Sequence, residues 1–299
     1  MKFLDAHQHF WDLDTNYYPW LCDHPLVPFR YGDYAAIRRN YLPKDYARDT
    51  AGFEIIGSVH IEAEWNPNDP VAETRWLSHI SRKLPHPVVF VAHAQFDHPD
   101  IEEVLNGHSV FAQVRGIRHK PKATEEGSVA DKRGARGSMD DPQWRKGYAL
   151  LQRYGYSFDL QIPYWNLDQA ADLAADFPET AIIINHTGLP AKRTRSNIKE
   201  WHNALKGVAQ HPNVAVKISG LGLPHQTWSV DANREIVLRT LDLFGIDRCM
   251  FASNFPVDGL CADLGSIIRG FKEIVDHLSD AQRAVLFHGN AARIYRFTP

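Results

Sequence analysis

The sequence of 299 residues contains only three cysteines, Cys22, Cys249 and Cys261. Their number is odd and none of them stands in a Cys-x-x-Cys pair, which argues against a disulfide framework and against a zinc site built from thiolates. No run of 18 apolar residues occurs, so the sequence predicts no transmembrane helix. No cationic and apolar leader precedes the first polar residues, and we therefore expect a cytoplasmic protein without membrane contact.

The sequence also lacks an excess of charge of either sign. It has 33 Lys and Arg against 36 Asp and Glu, a formal net charge of -3 at pH 7. This balance gives no net attraction to nucleic acid or to an anionic membrane. A glycine-rich phosphate-binding turn after an early strand is missing too, which argues against a doubly wound nucleotide-binding sheet. We therefore expect a small-molecule partner, and the sequence leaves open whether the chain forms a homo-oligomer.

What the sequence does contain is a regular alternation of short apolar runs with amphipathic helical segments. Continuous apolar runs are typical of parallel strands that are buried on both faces. The eight predicted strand regions are residues 1–10, 53–62, 88–94, 114–119, 156–162, 181–186, 214–219 and 249–254. No shift in composition separates them, so the pattern predicts an α/β fold in which residues 1–299 form a single (β/α)8 TIM barrel.

A long segment rich in aromatic residues and proline, residues 11–46, follows the first predicted strand. Its prolines prevent a long helix, and a connection of this length is usually functional or disordered. Its many aromatic side chains favour order. We interpret the segment as an insertion that forms a lid or wall over one mouth of the barrel, with a subunit interface as the alternative.

Two histidines separated by one residue, His7 and His9, stand at the end of the first predicted strand. Side chains two residues apart on a strand point to the same face. Two neutral imidazoles side by side suit a divalent cation such as zinc, or they polarise a carbonyl group. A chance His-x-His pair among 16 histidines is the alternative. His186, at the end of the sixth strand, is predicted to complete the cluster, because barrel chemistry lies at the carboxyl ends of strands.

Cationic side chains occur near the ends of two other predicted strands. Arg118 and His119 end the fourth strand, and Lys217 lies near the end of the seventh. We expect these three residues to bind a carboxylate of the substrate. The alternative for Arg118 and Lys217 is an ion pair with Glu62 or Asp159.

Five segments of the sequence carry a resemblance to a known family. They are HQHFWD at 7–12, VRGIR at 114–118, NHTG at 185–188, FASNFPV at 251–257 and GNAARIY at 289–295. The chain resembles the amidohydrolase-2 family over its whole length, in the branch of sugar-acid lactonases and pyrone-dicarboxylate lactonases. The resemblance implies a distorted barrel and a hydrolase of carbohydrate acid metabolism. Such an enzyme opens the lactone ring of a small acidic substrate by attack of an activated water on the ring carbonyl.

The sequence departs from the family pattern at the end of the eighth strand. The family has an aspartate there, after the serine, that acts as general base and can touch a metal. This sequence has Asn254, which accepts no proton at ordinary pH and which we expect to bind substrate. Glu62 and Asp258 are the carboxylates predicted to act as the base instead. The alternative for Asp258 is a helix N-cap or turn residue.

The metal requirement and two other functions stay open in the sequence. Members of the family differ in whether they need a metal, so a zinc ion on His7, His9 and His186 is one of two alternatives. With a neutral Asn254 we expect any such ion to be held less tightly. A metal-dependent decarboxylase or hydratase of the same superfamily would need a firmly bound ion. A barrel that has lost catalysis and only binds a ligand is the remaining hypothesis.

Overall fold

The computed structural model describes residues 2–127 and 133–297. Within these ranges eight parallel strands pair in chain order to form one sheet. The strands, labelled β1 to β8, are Lys2–Gln8, Glu54–Ile61, Val88–His93, Val114–His119, Ser157–Leu160, Ile182–Ile184, Val214–Ile218 and Cys249–Phe251. Each lies inside one of the eight predicted regions, and the predicted (β/α)8 barrel is confirmed.

Helices connect the strands and cover the outside of the sheet. Those labelled α1 to α11 are Pro19–Cys22, Pro43–Asp49, Ala72–Ile80, Ile101–Ser109, Pro142–Tyr154, Leu167–Asp176, Arg195–Val208, Val230–Phe244, Leu264–Ile274, Asp280–Ala284 and Asn290–Ile294. Their ends follow the sequence: Asp141 caps the first turn of α5 by accepting from the Gln143 amide, and Gly155 ends that helix in the left-handed conformation. None of the helices in the described ranges has both the length and the apolar character that a bilayer crossing needs.

The barrel is nearly closed between β1 and β8. The seam consists of one parallel bridge between Gln8 and Phe255, just beyond the regular part of β8. The His9 amide donates to the Phe255 carbonyl at 2.8 Å, and the Asn254 amide donates to the His7 carbonyl at 2.8 Å. The seam therefore brings the first-strand histidines and Asn254 together at the carboxyl-terminal mouth.

The strands alternate between two apolar layers. On β7, Val216 and Ile218 belong to the large core between the sheet and the helices, whereas Ala215 belongs to a second cluster inside the barrel. Since successive side chains on a strand point to opposite faces, Lys217 lies on the inner face with Ala215. The same alternation on β5 directs Asp159 into the barrel.

The aromatic segment 11–46 packs as one ordered unit against the mouth of the barrel. Trp20 and Phe29 stack with their ring centroids 5.9 Å apart. The Trp20 indole donates to the Ala63 carbonyl at 2.9 Å, and the Tyr34 hydroxyl donates to the Trp20 carbonyl at 2.9 Å. These contacts tie the segment to the chain just after β2, so that it forms one wall of the mouth.

Candidate active site

A cavity of about 340 Å³ lies at the carboxyl-terminal mouth of the barrel. Its polar lining residues are His9, Arg30, Glu64, Arg118, Lys120, Gln161, His186 and Asn254. Segment 11–46 supplies the apolar wall through Trp20, Val27, Pro28 and Phe29. The cavity therefore combines a few polar groups from the strand ends with an apolar cover, as small-molecule sites commonly do.

His7 and His9 share an arrangement that fixes which ring nitrogens carry hydrogen. Nδ1 of His7 lies 3.1 Å from the Asn185 side-chain oxygen, and Nδ1 of His9 lies 2.7 Å from the Ile61 carbonyl. Because these oxygens only accept hydrogen bonds, both Nδ1 atoms are donors. The two Nε2 atoms face each other at 3.2 Å. In the neutral rings, two lone pairs therefore converge beside the cavity.

The protonation of these rings follows from their burial. Burial lowers the pKa of His7 and of His9 well below the ordinary 6.5, and nearby positive charges lower it further. Burial likewise lowers the pKa of His186, whose ring centroid lies 4.6 Å from that of His7. Nδ1 of His186 lies 2.9 Å from the Ser219 hydroxyl. All three imidazoles are therefore neutral at pH 7.

Arg118 lies on the cavity wall and is bound to Glu62. Its Nε pairs with Glu62 Oε1, its Nη2 donates to the Glu62 carbonyl, and its Nη1 donates to the Gln161 side chain at 3.1 Å. The Glu64 amide donates to Glu62 Oε2 at 2.7 Å. Burial alone would raise the pKa of Glu62, but Arg118 and other cations lower it to about 2. Both oxygens of Glu62 are thus engaged, and it is a weak base.

Lys217 and His119 lie away from the cavity. Lys217 is fully buried inside the barrel, where its Nζ donates to Asp159 Oδ1 at 2.6 Å. The Tyr295 hydroxyl is 2.8 and 2.9 Å from the two oxygens of the same carboxylate. The Trp144 indole donates to Nδ1 of His119 at 3.0 Å. The structure thus brings Lys217 to Asp159, the pairing that the sequence left as the alternative to carboxylate binding.

Asp258 lies behind Asn254, in the short 3₁₀ turn that follows β8. Its Oδ1 accepts hydrogen bonds from Asn254 Nδ2 at 2.6 Å and from the Tyr31 hydroxyl at 2.8 Å. Burial raises the pKa of Asp258 to about 6. These contacts orient the Asn254 amide, which lines the cavity, and leave its Oδ1 as the polar atom not used by Asp258.

The donor set does not complete a metal site. Catalytic zinc sites use three protein ligands and keep one open position. His7 and His9 supply two converging nitrogens, but within 2–127 and 133–297 no group of three His, Cys, Asp or Glu side chains is arranged to hold an ion. Asn254 offers a neutral amide in place of a carboxylate, and its nitrogen is bound to Asp258. We therefore assign no chemical step to a metal.

The sequence placed Asn185 and Ser219 among the polar strand ends without a role, and the structure shows that they orient two of the histidines. Arg30 and Tyr31, which come from the aromatic segment, were not predicted as site residues. Arg30 could have been predicted from the position of segment 11–46 over the mouth of the barrel. A stretch predicted to cover the mouth contributes its own polar side chains to whatever is bound there.

Comparison with known proteins identifies the family of the chain. The family model described as amidohydrolase matches residues 4–297. An uncharacterized protein of Sinorhizobium fredii, y4mH, is 41% identical over 293 residues, which is 98% of each chain. The L-fucono-1,5-lactonase of Burkholderia multivorans is 26% identical over 98% of this chain and 95% of its own.

A solved structure shows the same fold. It is an amidohydrolase from Burkholderia multivorans with bound zinc, and it superposes with a TM-score of 0.79 over 100% of both chains at 24% identity. At that identity the likeness establishes the fold alone. Together with the match of the family model to nearly the entire sequence, these findings show that the chain is a hydrolase that belongs to the amidohydrolase family.

Proposed function

We propose that this protein opens the lactone ring of a small acidic substrate, in the metabolism of carbohydrate acids. The observation that carries the proposal is the convergence of the His7 and His9 lone pairs, with Nε2 atoms 3.2 Å apart, at the wall of the cavity. The similarity to L-fucono-1,5-lactonase supports the reaction type. Lactone hydrolysis needs a group that accepts the proton of the attacking water.

The imidazole pair acts as the base. His9 lines the cavity, so its Nε2 takes a proton from water as the water oxygen bonds to the ring carbonyl carbon. The proton then lies between the two Nε2 atoms, which are 3.2 Å apart, and sharing it with His7 offsets the burial that lowers the pKa of His9. The Ile61 carbonyl keeps the His9 ring in the required orientation. A positioned base of this kind contributes about 10²- to 10⁴-fold to a rate.

His186 and Asn254 act on the other atoms of the reaction. With the Ser219 hydroxyl donating to Nδ1 of His186, the Nε2–H of that ring donates to the developing oxyanion. The bond between the carbonyl carbon and the ring oxygen then breaks, and the proton held by His9 passes to the leaving oxygen. Asn254 Oδ1 orients the attacking water. One lactone and one water thus give one hydroxy acid.

A pH-indicator assay tests the proposal, because each ring opening at neutral pH releases one proton. The purified protein is given 2-pyrone-4,6-dicarboxylate, which carries free acid groups, and L-fucono-1,5-lactone and D-glucono-1,5-lactone, which carry none. We expect turnover of at least one of them, faster with the acidic lactone, lost in His9→Ala and retained in the control His98→Ala, which changes an exposed histidine outside the cavity lining. Binding of the corresponding acids without turnover would support the ligand-binding alternative, and carbon dioxide release from aromatic acids would support a decarboxylase.

A further inference from the structure

Among the residues that the structure describes, three cations line the cavity: Arg30, Arg118 and Lys120. Two of them are already neutralised, since Arg118 pairs with Glu62 and Lys120 pairs with Glu64. A paired cation gives little net attraction to an incoming anion, because its own partner must first be displaced or left uncompensated. The charge available to a ligand therefore depends on the third cation.

In the described part of the chain, Arg30 is held in place by contacts that include no carboxylate within ion-pair distance. Within the residues that the structure describes, Nη1 donates to the Gly220 carbonyl at 3.2 Å, the guanidinium lies 4.6 Å from the Tyr31 ring centroid, and no carboxylate pairs with it. A guanidinium has five N–H donors, so most of them stay available. Arg30 is also only half-buried, because it faces the cavity.

The backbone beside Arg30 brings it close to the reacting groups. A Cβ added at Gly220 would lie 2.5 Å from Nδ1 of His186 and 2.7 Å from Nη2 of Arg30. The side chains of His186 and Arg30 therefore both pack against Gly220, whose φ of +61° only glycine adopts without strain. The Arg30 guanidinium therefore lies beside the Nδ1 edge of the His186 ring, and both residues line the cavity.

Asp258 is the neighbouring carboxylate that could compensate Arg30. Its Oδ1 accepts from Asn254 and from Tyr31, and it forms no ion pair with Arg30 among the described contacts. Burial raises the pKa of Asp258 to about 6, although Arg30 acts in the opposite direction. Asp258 therefore orients Asn254 and, from beyond ion-pair distance, offsets the charge of the guanidinium only in part.

We infer that Arg30 binds a free carboxylate of the substrate beside His186, and so selects lactones that carry an acid group over uncharged ones. The guanidinium fork matches a carboxylate in a bidentate contact, which is the geometry of the strong charge-assisted pairs. The inference rests on the proposed function for the identity of the substrate as a lactone, but the binding of a carboxylate is measured without turnover. It assigns to segment 11–46 the specificity that the sequence assigned to the strand ends.

Calorimetric titration of the purified protein tests the inference with four six-carbon probes. These are citrate and D-glucarate, which carry a carboxylate beyond the one that ring opening forms, D-gluconate, which carries only that one, and the uncharged D-glucitol. We expect citrate or D-glucarate to bind more tightly than D-gluconate and D-glucitol, and Arg30→Gln to weaken that binding about 10- to 100-fold, as the loss of a charge-assisted pair does. Arg30→Lys keeps the charge without the fork and should lose less. Binding by the wild type should weaken as salt is raised.

Lys120→Gln is the matched control, since it removes a cavity-lining cation that is already paired. We expect it to change the dissociation constant by about twofold or less. Thermal unfolding checks that each variant is folded. No acid preference in the wild type, or equal weakening by Arg30→Gln and Lys120→Gln, would overturn the inference. An effect of Arg30→Gln on acid binding in a protein that hydrolyses no lactone would retain the inference and refute the proposed function.

Discussion

Two regions of this barrel hold buried polar side chains, and they differ in how those groups are satisfied. Inside the barrel, Lys217, Asp159 and Tyr295 pair with one another, with the ammonium bound to the carboxylate and the phenol bound to both of its oxygens. At the mouth, His7 and His9 direct two lone pairs at each other. The chain thus places a charge-compensated polar cluster below a pair of acceptors that face each other without a donor between them.

The difference indicates which buried polar residues are available to bind and react with a substrate. An ion pair whose two charges compensate each other offers little net charge to a substrate. Groups that are buried without complete partners lower stability, and they persist where a ligand completes them. The comparison predicts that substitutions at the mouth mainly change activity, whereas substitutions inside the barrel mainly change stability.

His9→Ala is expected to have the largest effect and to separate the two regions. It removes the cavity-lining base, so kcat/KM for the lactone should fall by about 10²- to 10⁴-fold. The free energy of unfolding should fall by about 1–3 kcal/mol, because the hydrogen bond to the Ile61 carbonyl and the ring contacts with His7 and Trp11 are lost but no unpaired charge is left. Steady-state kinetics and urea unfolding measure the two quantities. Unfolding of His9→Ala, or undiminished turnover, would contradict the distinction between the two regions.

Lys217→Met tests the interior region in the opposite sense. It leaves Asp159 buried without its cation, which should lower the free energy of unfolding by about 3–5 kcal/mol. Adding Asp159→Leu should recover part of this loss, because the unpaired carboxylate is then removed. A stable Lys217→Met protein with only a raised KM for acidic lactones would show that Lys217 contacts the substrate, as the sequence had led us to expect.

We expect Asp258 to cause a fall in kcat/KM on the acid side of the pH profile. Its pKa is raised to about 6, so the ionised form that accepts from Asn254 and Tyr31 is lost below pH 6, and kcat/KM should fall there. Stability should change in the other direction. The folded state binds a proton between pH 3.8 and 6 that the unfolded chain has released, so the free energy of unfolding contributed by this group rises as the pH falls through that window.

Asp258→Asn provides the control for both pH effects. Residue 258 cannot titrate in the variant, so kcat/KM should no longer fall near pH 6. The free energy of unfolding should also lose the pH dependence that Asp258 gives the wild type between pH 3.8 and 6. Activity profiles with a lactone that does not itself titrate in this range measure the first effect, and urea unfolding at several pH values measures the second. An unchanged fall in kcat/KM in the variant would assign the titration to another group.

The sequence predicted the barrel almost completely, because strand patterns are local. The run of Ile182, Ile183 and Ile184 indicates a strand buried on both faces without any knowledge of its neighbours. Which polar groups end the strands is local too, and the family resemblance that these segments carry is confirmed.

The pairing of those groups could not be predicted, because it depends on strands far apart in the chain. Lys217 and Asp159 are 58 residues apart and meet only when the barrel closes. Arg30 and Gly220 are 190 residues apart. Chain position alone does not distinguish a cation that is neutralised from one that is available, and the three candidate carboxylate-binding residues were chosen without that information.

The smallest expected effect is that of a chelator on the activity of the wild type, and Asn254→Asp provides a variant in which zinc binding should increase. Since the described donors provide two converging imidazoles and a neutral amide, we expect a chelator to leave wild-type kcat/KM unchanged and elemental analysis to find less than one zinc per chain. The aspartate adds an oxygen ligand beside His7 and His9, so Asn254→Asp should retain more zinc through dialysis. Asn254→Leu, with no oxygen to offer, is the matched control. If the chelator abolishes wild-type turnover, the mouth is completed by an ion, and the shared proton of the imidazole pair is replaced by a metal bond.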